Sequence, residues 1–346
     1  MKTKYLIAYT ALIWGSIACK DTDTTPQQAL FEVPKNFPKP VYDVSKNPVT
    51  QEGFELGKAL FYDGQLSRDG SISCGTCHIQ ASAFTHHGHD LSHGIDDLLG
   101  SRNTPAIQNM AWSKDFFWDG GVHDLDLFAI APIENPVEMD EKLSNVINKL
   151  QKTSKYPPLF QKAFGSEQIT SSNFLKALAQ FQVALVSANS RYDKYVRGEA
   201  GGTLSDTEKQ GLEIFKQKCA TCHEGELFTD NSFRNNGLSI YNDNEINTGR
   251  FRITLNEADK YKYKVPSLRN IALSAPYMHD GRMRNLEGVL DHYANEVKNT
   301  PNLDPILKQN GRLGIELSAE EKTKIIAFLQ TLTDETFTKD RRFAEF

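Results

Sequence analysis

The chain has 346 residues, of which 39% are hydrophobic and 24% are charged, a composition typical of a soluble protein with room for two ordinary domains after a leader. Its 39 Lys and Arg residues and 44 Asp and Glu residues give a net charge of −5. No stretch is basic enough to predict a nucleic-acid partner, and no run after the N-terminus reaches the length of a membrane span.

The first 19 residues predict a signal peptide. Two lysines precede an apolar run from Tyr5 to Ala18, which has the length of a signal core and is too short to cross a bilayer. A small residue before Cys19 resembles the lipoprotein cleavage box, although Ser16 stands where Leu is usual; the alternative is ordinary cleavage that leaves Cys19 as a free thiol. Residues 20–47 predict a tether. We therefore expect a periplasmic protein whose only contact with the membrane is a lipid on Cys19.

The predicted N-terminal domain covers residues 48–200. Helical spacing over Gly53–Phe61 leads into the motif Cys74-Gly75-Thr76-Cys77-His78. Residues 84–100 are rich in His, Gly and Asp and predict a loop. Helical patterns follow at residues 140–152 and 171–195, and the glycines between residues 198 and 202 predict a linker.

The predicted C-terminal domain covers residues 201–346. A capping box at Ser205 begins a helix that leads to Cys219-Ala220-Thr221-Cys222-His223, and a second capping box at Ser318 begins a closing helix. An opening helix, a Cys-x-x-Cys-His motif, a looped middle and a closing helix form the plan of a small cytochrome c domain. We therefore predict a mainly α fold of two cytochrome c-like haem domains packed around an inter-haem interface.

Each Cys-x-x-Cys-His motif is an attachment sequence for a c-type haem. The two cysteines add to the vinyl groups of the haem, and the following histidine, His78 or His223, becomes the proximal iron ligand. Two copies predict two covalent haems. The alternatives are redox disulfides or one zinc site. Zinc-binding pairs are usually tens of residues apart, whereas 141 residues separate these two, and neither alternative explains the histidine.

Several further motifs resemble those of the bacterial dihaem cytochrome c peroxidase and MauG family, and they keep the family's order from about Gly53 to the C-terminal helix. These motifs are Arg102-Asn103-Thr104-Pro105, Phe117-Trp118-Asp119-Gly120, Ala131–Met139, Val265–Asn270 and Ala275–Gly281. The resemblance implies a periplasmic cytochrome-c peroxidase, commonly a homodimer. One haem reacts with hydrogen peroxide, and the other receives electrons from a small redox protein such as a cytochrome c or a cupredoxin.

The resemblance assigns the reaction with peroxide to the haem on His78. Glu138, 20 residues after Trp118, occupies the position of the family's catalytic glutamate, where a carboxylate can move a proton between the two peroxide oxygens. The family's second distal residue, a glutamine ten residues after the tryptophan, is replaced by Phe128. Trp118 itself matches the aromatic residue between the haems, which implies an electron relay.

Two residues are candidates for a further ligand of the N-terminal haem. In many family members a histidine of the loop caps this haem in the resting state, and His93, 15 residues after His78, is the nearest match by spacing. The alternative for His93 is a place in an exposed polar loop or in an adventitious metal site. Met139 lies 61 residues after His78, a plausible distance for the methionine ligand of an electron-transfer cytochrome. Closure by Met139 would make the protein a dihaem electron carrier and not an enzyme.

The haem on His223 is expected to be six-coordinate. Family peroxidases place a methionine 14 residues after the histidine of a Pro-Tyr-x-His motif, and counting from His279 leads instead to Tyr293. A tyrosine here resembles the MauG branch, and its phenolate favours ferric and higher oxidation states. This ligand favours a second function, a MauG-like oxidase acting on a protein or organic substrate. The alternative ligands nearby are Met278, Met283 and His292.

The resemblance also implies a calcium ion between the haems. Asn103 resembles its side-chain ligand, and Ser274 and Pro276 match positions that give backbone carbonyls, which are donors that calcium accepts. We therefore expect two c-type haems and a candidate calcium ion as cofactors.

Overall fold

This computed structural model describes residues 29–240, 245–309 and 311–345. Helices and irregular segments make up most of these residues, which confirms the prediction of a mainly α fold. A π-helical turn, His292–Glu296, continues the tenth helix directly. The helices are α1 (Gln51–Phe61), α2 (Cys74–Cys77), α3 (Ile130–Glu134), α4 (Leu143–Gln151), α5 (Tyr156–Phe164), α6 (Ser171–Ala184), α7 (Arg191–Arg197), α8 (Asp206–Lys218), α9 (Phe251–Thr254), α10 (Leu286–Asp291), α11 (Ala319–Gln330) and α12 (Glu335–Thr338).

The β-sheet structure of the described residues consists of two short antiparallel ribbons. Strand β1 (Phe233–Arg234) pairs with β2 (Tyr263–Lys264), and β3 (Lys308–Gln309) pairs with β4 (Arg312–Leu313). The backbone N–H of Lys264 also donates to the carbonyl of Trp118 at 2.8 Å. Strand β2 therefore fixes the second half of the chain against the Phe117–Gly120 motif.

A first hydrophobic cluster forms around α1 and α6. The two helices touch at Gly57, where an added Cβ would lie 2.0 Å from the carbonyl oxygen of Ala177, so no other residue permits this approach. The ring of Phe181 lies 5.5 Å from that of Phe54 and 5.0 Å from that of Phe61. Buried aromatic pairs of this kind contribute both apolar area and favourable ring geometry. They anchor the end of α1, which leads towards α2.

A second hydrophobic cluster forms around α8 and α11. Gly211 permits the closest approach, because a Cβ there would lie 1.9 Å from the carbonyl oxygen of Lys324. The rings of Phe215 and Phe328 meet at 5.2 Å. Both helices begin with the capping boxes that the sequence predicts, at Ser205 and Ser318. The two caps define where the cluster's main helices start, and α8 then ends at the second Cys-x-x-Cys-His motif.

The helix predicted over residues 171–195 is two helices. Helix α6 ends at Ala184, and α7 begins after Ser190, which forms a capping box with Asp193. Between them, Asn109 donates from Nδ2 to the carbonyl of Ser187 at 3.0 Å and accepts the Ser187 N–H at 2.9 Å. Pairing with a distant segment therefore replaces the helical hydrogen bonds. The helix predicted over 140–152 starts later than expected, at Leu143.

Part of the predicted tether packs on the body of the protein. Phe37 is buried, and its ring meets that of Trp112 edge-on at 5.1 Å. The Val41 N–H donates to the carbonyl of Ala111 at 2.9 Å. The structure thus differs from the prediction over residues 29–47, because these apolar contacts outweigh the Pro- and Lys-rich composition. The predicted signal peptide and Cys19 lie outside the described residues.

The C-terminal tail crosses back to the first hydrophobic cluster. The ring of Phe337 lies 5.5 Å from that of Phe84, and the ring of Phe343 lies 6.3 Å from that of Phe54. The Gln80 amide donates to the carbonyls of Phe337, at 3.1 Å, and Asp340, at 2.8 Å. Residues 334–343, which the sequence places in the second unit, therefore complete the core of the first.

A fully buried ion pair joins α7 to the Val265–Asn270 segment. Arg269 donates to both carboxylate oxygens of Asp193, at 2.6 and 2.9 Å, and neither side chain is exposed. Arg269 also donates to the carbonyl of Glu226, and Asn36 donates to Asp193 at 3.0 Å. This network fixes the N-terminal segment, α7 and the second half at one point. Among the described helices, none is both long and apolar enough to cross a bilayer.

Candidate active site

The first Cys-x-x-Cys-His motif forms one helical turn, α2, followed by His78. Ser73 caps this turn in a reciprocal arrangement with Thr76. The Nδ1 atom of His78 lies 2.8 Å from the carbonyl oxygen of Phe84, which can only accept, so Nδ1 carries the proton. Burial lowers the pKa of His78 to about 4 and keeps the ring neutral. The remaining nitrogen, Nε2, is therefore available as an iron ligand.

The second motif repeats this arrangement. The Nδ1–H of His223 donates to the carbonyl of Phe228 at 3.1 Å, and burial lowers the pKa of the ring. Cys219 and Cys222 are free thiols, as are the two cysteines of the first motif. Each motif thus presents two thiols and one oriented, neutral histidine, which is the donor set that covalent attachment of a c-type haem requires.

The two motifs open into two cavities. We call the one lined by Cys74, Cys77 and His78 the His78 cavity. The other, lined by Cys219, Cys222 and His223, is the His223 cavity. Because the cysteine pairs line different cavities, they do not form one zinc site. In the described chain no group of three or more His, Cys, Asp or Glu side chains is arranged to hold a metal ion.

Trp118 lines both cavities, together with Asn103, Thr104 and Pro105. Its indole N–H donates to the carbonyl of Asn103 at 2.8 Å, which fixes the ring between the two sites. The two sequence motifs that contain these residues therefore meet in the wall that separates the cavities.

Glu138 lines the His78 cavity. Its Oε1 accepts from the amide of Asn135 at 2.8 Å, and burial raises the pKa of the carboxyl group. The backbone is held from the opposite loop, because Ile95 N–H donates to the Glu138 carbonyl at 2.8 Å. Gly94 is required there, since a Cβ would lie 2.5 Å from the Glu138 Cα. The structure thus holds a carboxyl group of altered proton affinity in the same cavity as His78.

The wall near Glu138 is mainly apolar. Phe128 is buried, and its ring stacks on that of Phe117 with centroids 4.8 Å apart. Both residues line the His78 cavity, as does the buried Met139. Met139 thus stays an alternative ligand. An apolar wall excludes water and strengthens the electrostatic effect of the few polar groups that remain.

His93 lies at the edge of the His78 cavity. Its carbonyl accepts from the Cys77 thiol at 3.5 Å, and its neighbour Gly94 lines the cavity. The imidazole instead pairs with the carboxylate of Asp97 at 2.7 Å. In this arrangement the His93 ring is not among the groups that line the cavity.

Two of the four candidate ligands for the second haem line the His223 cavity, Tyr293 and Met278. Burial raises the pKa of Tyr293 to about 12, although a hydrogen bond with Asn236 opposes the change. The Asn236 amide lies 3.4 Å from the sulfur of Met278. Met283 and His292 are not among the lining residues, and His292 donates from Nε2 to the Asn236 carbonyl at 3.0 Å.

The three residues assigned to calcium also line the His223 cavity, Asn103, Ser274 and Pro276. The Asn103 amide nitrogen donates to the carbonyls of His89 and Asp90, at 3.2 and 3.1 Å, so its amide oxygen is oriented away from them. The peptide bond before Pro276 is cis. The structure therefore brings the three predicted donors to one cavity.

A segment of the second half that sequence reasoning missed covers the His78 cavity. Arg252 and Ile253 of α9 line it, and Arg252 donates to the carboxylate of Asp119 at 3.0 Å. Asp119 also pairs with Arg102 at 2.9 Å and is almost fully buried. The pair of Arg252 and Asp119 spans 133 residues, so no local pattern in the sequence could have revealed it.

Comparisons with known proteins decide the family. A family model for di-haem cytochrome c peroxidase matches residues 51–201. The methylamine utilization protein MauG of Methylorubrum extorquens is 37% identical over 336 residues, which cover 95% of this chain and 92% of the relative. The cytochrome c551 peroxidase of Nitrosomonas europaea is 34% identical, with coverages of 83% and 81%. The chain belongs to the dihaem cytochrome c peroxidase and MauG family.

Solved structures agree with this assignment. The crystal structure of a MauG-like protein associated with microbial copper homeostasis has a TM-score of 0.81 at 32% identity and covers 91% of this chain and 98% of its own. The diheme peroxidase BthA of Burkholderia thailandensis shares the fold at 20% identity, with a TM-score of 0.71. Family membership makes the protein an oxidoreductase and implies two c-type haems, which fit the thiols and histidines of both cavities.

Proposed function

We propose that this protein is a dihaem peroxidase that reduces hydrogen peroxide to water at the His78 cavity, with two electrons delivered one at a time by a small redox protein. The observation that carries the proposal is the half-buried carboxyl group of Glu138, with its raised pKa, in the cavity that His78 also lines. When bound, each haem supplies an iron that exchanges single electrons, and the one held by His78 also coordinates the oxidant. Peroxide, two protons and two electrons then give two water molecules.

Glu138 acts on the protons of this reaction. Its ionised carboxylate accepts the proton from one peroxide oxygen and returns it to the other, which becomes the leaving water. Asn135 donates to Oε1 and so orients the carboxylate during both transfers. Phe117 and Phe128 keep bulk water away from the transferred proton.

The electrons enter by the other site. His223 and Tyr293 would hold the second haem as a six-coordinate group, and Trp118, which lines both cavities, would relay charge between the sites. We assign residues 48–200 to the peroxide-reacting domain and residues 201–346 to the electron-transfer domain, with residues 334–343 packed across the boundary.

The test is turnover of hydrogen peroxide by the haem-loaded protein with a reduced cytochrome c or cupredoxin as the donor. We expect steady turnover for the wild type and a loss of 10²- to 10⁴-fold for Glu138→Gln, the usual contribution of a positioned acid–base group. Glu134→Gln is a matched control, because Glu134 lies in the same segment but is exposed. Equal rates for all three proteins would refute the role of Glu138.

A second candidate function is a MauG-like oxidase that uses the same cavity and takes its electrons from a protein or organic substrate. Tyr293 in the His223 cavity favours it, as does the identity with MauG proteins. A spectrum of the second haem that shows His and Tyr ligation, together with absent turnover of reduced donors, would favour this function over the first. Methionine ligation with steady turnover would favour the peroxidase.

We also propose a periplasmic location, a lipid on Cys19, a homodimer and a calcium ion held by Asn103, Ser274 and Pro276. The location is supported by the predicted export signal in the sequence. It is also supported by the attachment of c-type haem, which takes place outside the bacterial cytoplasm. The calcium ion is supported by the shared cavity of its three candidate donors. Removing calcium with a chelator and following the haem spectra would test this cofactor.

A further inference from the structure

A buried glutamine on α6 has a side chain that the fold does not use. Gln182 is only 4% exposed and lines the His78 cavity. Among the residues that the structure describes, no hydrogen bond reaches its side-chain amide; its backbone carbonyl accepts from Leu185. The amide atoms are not fully enclosed by protein, so they reach the open space of the cavity, where a ligand can bind them.

Another buried glutamine on the same helix shows the contrast. Gln180 is 3% exposed, and its amide donates to Asn47 at 2.9 Å and accepts the N–H of Thr50 at 3.1 Å. It does not line the His78 cavity. Two positions along a helix turn the side chain by about 200°, so the two glutamines face opposite sides of α6. Gln180 holds the fold together, and Gln182 faces the cavity.

The other groups that line the His78 cavity also favour a ligand-binding role for Gln182. Phe128 and Phe117 form its stacked aromatic part, and Glu138 is already engaged with Asn135 on one carboxylate oxygen. A neutral amide offers two N–H donors and one acceptor, and it does so without a charge that would alter the pKa of Glu138. Gln182 is thus suited to bind an oxygen atom of a small ligand in this cavity.

We propose that the Gln182 side-chain amide donates a hydrogen bond to the oxidant bound in the His78 cavity and holds it for proton transfer by Glu138. This inference rests on the proposed function, because it takes the oxidant to be a peroxide. Gln182 donates from Nε2 to a peroxide oxygen and neither gains nor loses a proton.

The experiment compares Gln182→Leu with Gln180→Leu in the haem-loaded protein. Fluoride, an anion that binds ferric haem and accepts hydrogen bonds, serves as the probe, and its dissociation constant is measured both in the protein as isolated and after one-electron reduction. We expect Gln182→Leu to raise this constant about tenfold, the effect of one lost hydrogen bond to a charged ligand, and Gln180→Leu to leave it unchanged. The bimolecular rate constant with hydrogen peroxide should fall in the same variant only.

Thermal unfolding provides the opposite contrast. Gln180→Leu should lower the melting temperature, because it leaves the amide oxygen of Asn47 and the backbone N–H of Thr50 without their partner. Gln182→Leu should keep or raise it, because an unpaired amide is replaced by an apolar group. A melting temperature lowered as much by Gln182→Leu as by Gln180→Leu would overturn the proposal, as would fluoride affinity and peroxide rate equal to those of the wild type.

The fluoride measurement separates this inference from the proposed function. If Glu138→Gln abolishes peroxide turnover and Gln182→Leu alters neither fluoride affinity nor rate, only the role of Gln182 is wrong. If the wild type does not turn over peroxide and Gln182→Leu still weakens fluoride binding, the amide binds the ligand but the proposed function is wrong.

Discussion

At the scale of single residues, Glu138 determines the expected dependence of the reaction on pH. Burial raises the pKa of its carboxyl group above the usual value of 4.5. A proton acceptor works only in its ionised form, so its activity is lost as the pH falls through this raised pKa. Neighbours that exclude water, such as Phe128, thus extend the pH range in which Glu138 is protonated and inactive towards neutral pH.

We therefore predict that the rate constant for reaction with peroxide rises with pH, with a midpoint above 4.5. In Glu138→Gln this acid limb should disappear, because the amide does not titrate. Stopped-flow measurements of the haem-loaded protein between pH 4 and pH 8 provide the check. A wild-type profile that is flat over this range would contradict a proton-accepting role for Glu138.

Trp118 and Trp112 form a matched pair of tryptophans. Each indole donates to a backbone carbonyl at 2.8 Å, Trp118 to Asn103 and Trp112 to Pro38. Trp112 lines only the His223 cavity, whereas Trp118 lines both cavities. The proposed relay between the sites therefore runs through Trp118 and not Trp112.

We predict that Trp118→Phe slows electron transfer between the two haems, while Trp112→Phe leaves it at the wild-type rate. Both changes keep an aromatic ring and remove one hydrogen bond, so their costs in stability should be similar. Rapid-mixing spectroscopy of the half-reduced protein with peroxide measures the transfer. Equal rates in the two variants would place the electron path elsewhere.

At the scale of elements, the pair of Asp193 and Arg269 connects α7 to the second half. Burial alone would raise the pKa of Asp193, but the hydrogen bonds and charge of Arg269 outweigh it, and the pKa lies below its ordinary value. A lowered carboxyl pKa contributes stability above the unfolded value near 4, and this contribution is lost as the pH falls through the folded pKa.

We predict that Asp193→Asn lowers the free energy of unfolding by about 3–5 kcal/mol at pH 7, because it leaves the buried Arg269 without a counter-charge. Below about pH 4 the difference from the wild type should shrink, as the wild-type aspartate becomes protonated. Chemical denaturation across this range measures both effects. Glu199→Gln, which removes an exposed partner of Arg197, should leave the free energy of unfolding nearly unchanged.

Helix boundaries that depend on local patterns can be predicted from the sequence, whereas those that depend on distant residues cannot. The helices after Ser205 and Ser318 were predictable because their capping boxes are local, three residues apart. The break after α6 was not, because it depends on Asn109, 78 residues away from Ser187. In the same way the sequence indicated Glu138 through its flanking motif, but Gln182 lies in an apolar run of α6 with no motif. Its polar character within a buried helix was the only signal.

At the scale of the whole molecule, the C-terminal tail supports the first motif. The ring of Phe337 packs on that of Phe84 at 5.5 Å, and the carbonyl of Phe84 accepts from His78. Helix α12 thus stabilises the loop whose carbonyl orients the His78 ring. The two units that the sequence suggested are therefore interlocked, although their motifs and main helices are separate along the chain.

We predict that Phe337→Ala lowers the free energy of unfolding by about 3–5 kcal/mol, the usual cost of removing a buried phenyl ring. The spectrum of the His78 haem should change, and that of the His223 haem should not. Leu255→Ala provides a control, since Leu255 is 76% exposed and such changes cost less than about 0.5 kcal/mol. A change confined to the His223 haem would show that the tail does not support His78.

The crossing of the tail has a consequence for assembly. Synthesis proceeds from the N-terminus, so Phe337 is made 257 residues after Gln80, and until then Gln80 and Phe84 lack this packing partner. We therefore expect the loop that orients His78 to be held less firmly in the growing polypeptide, and the thiols of Cys74 and Cys77 to be more accessible there than in the folded protein. Attachment of the first cofactor can thus precede closure of the structure around it, which is complete once α12 packs on this loop.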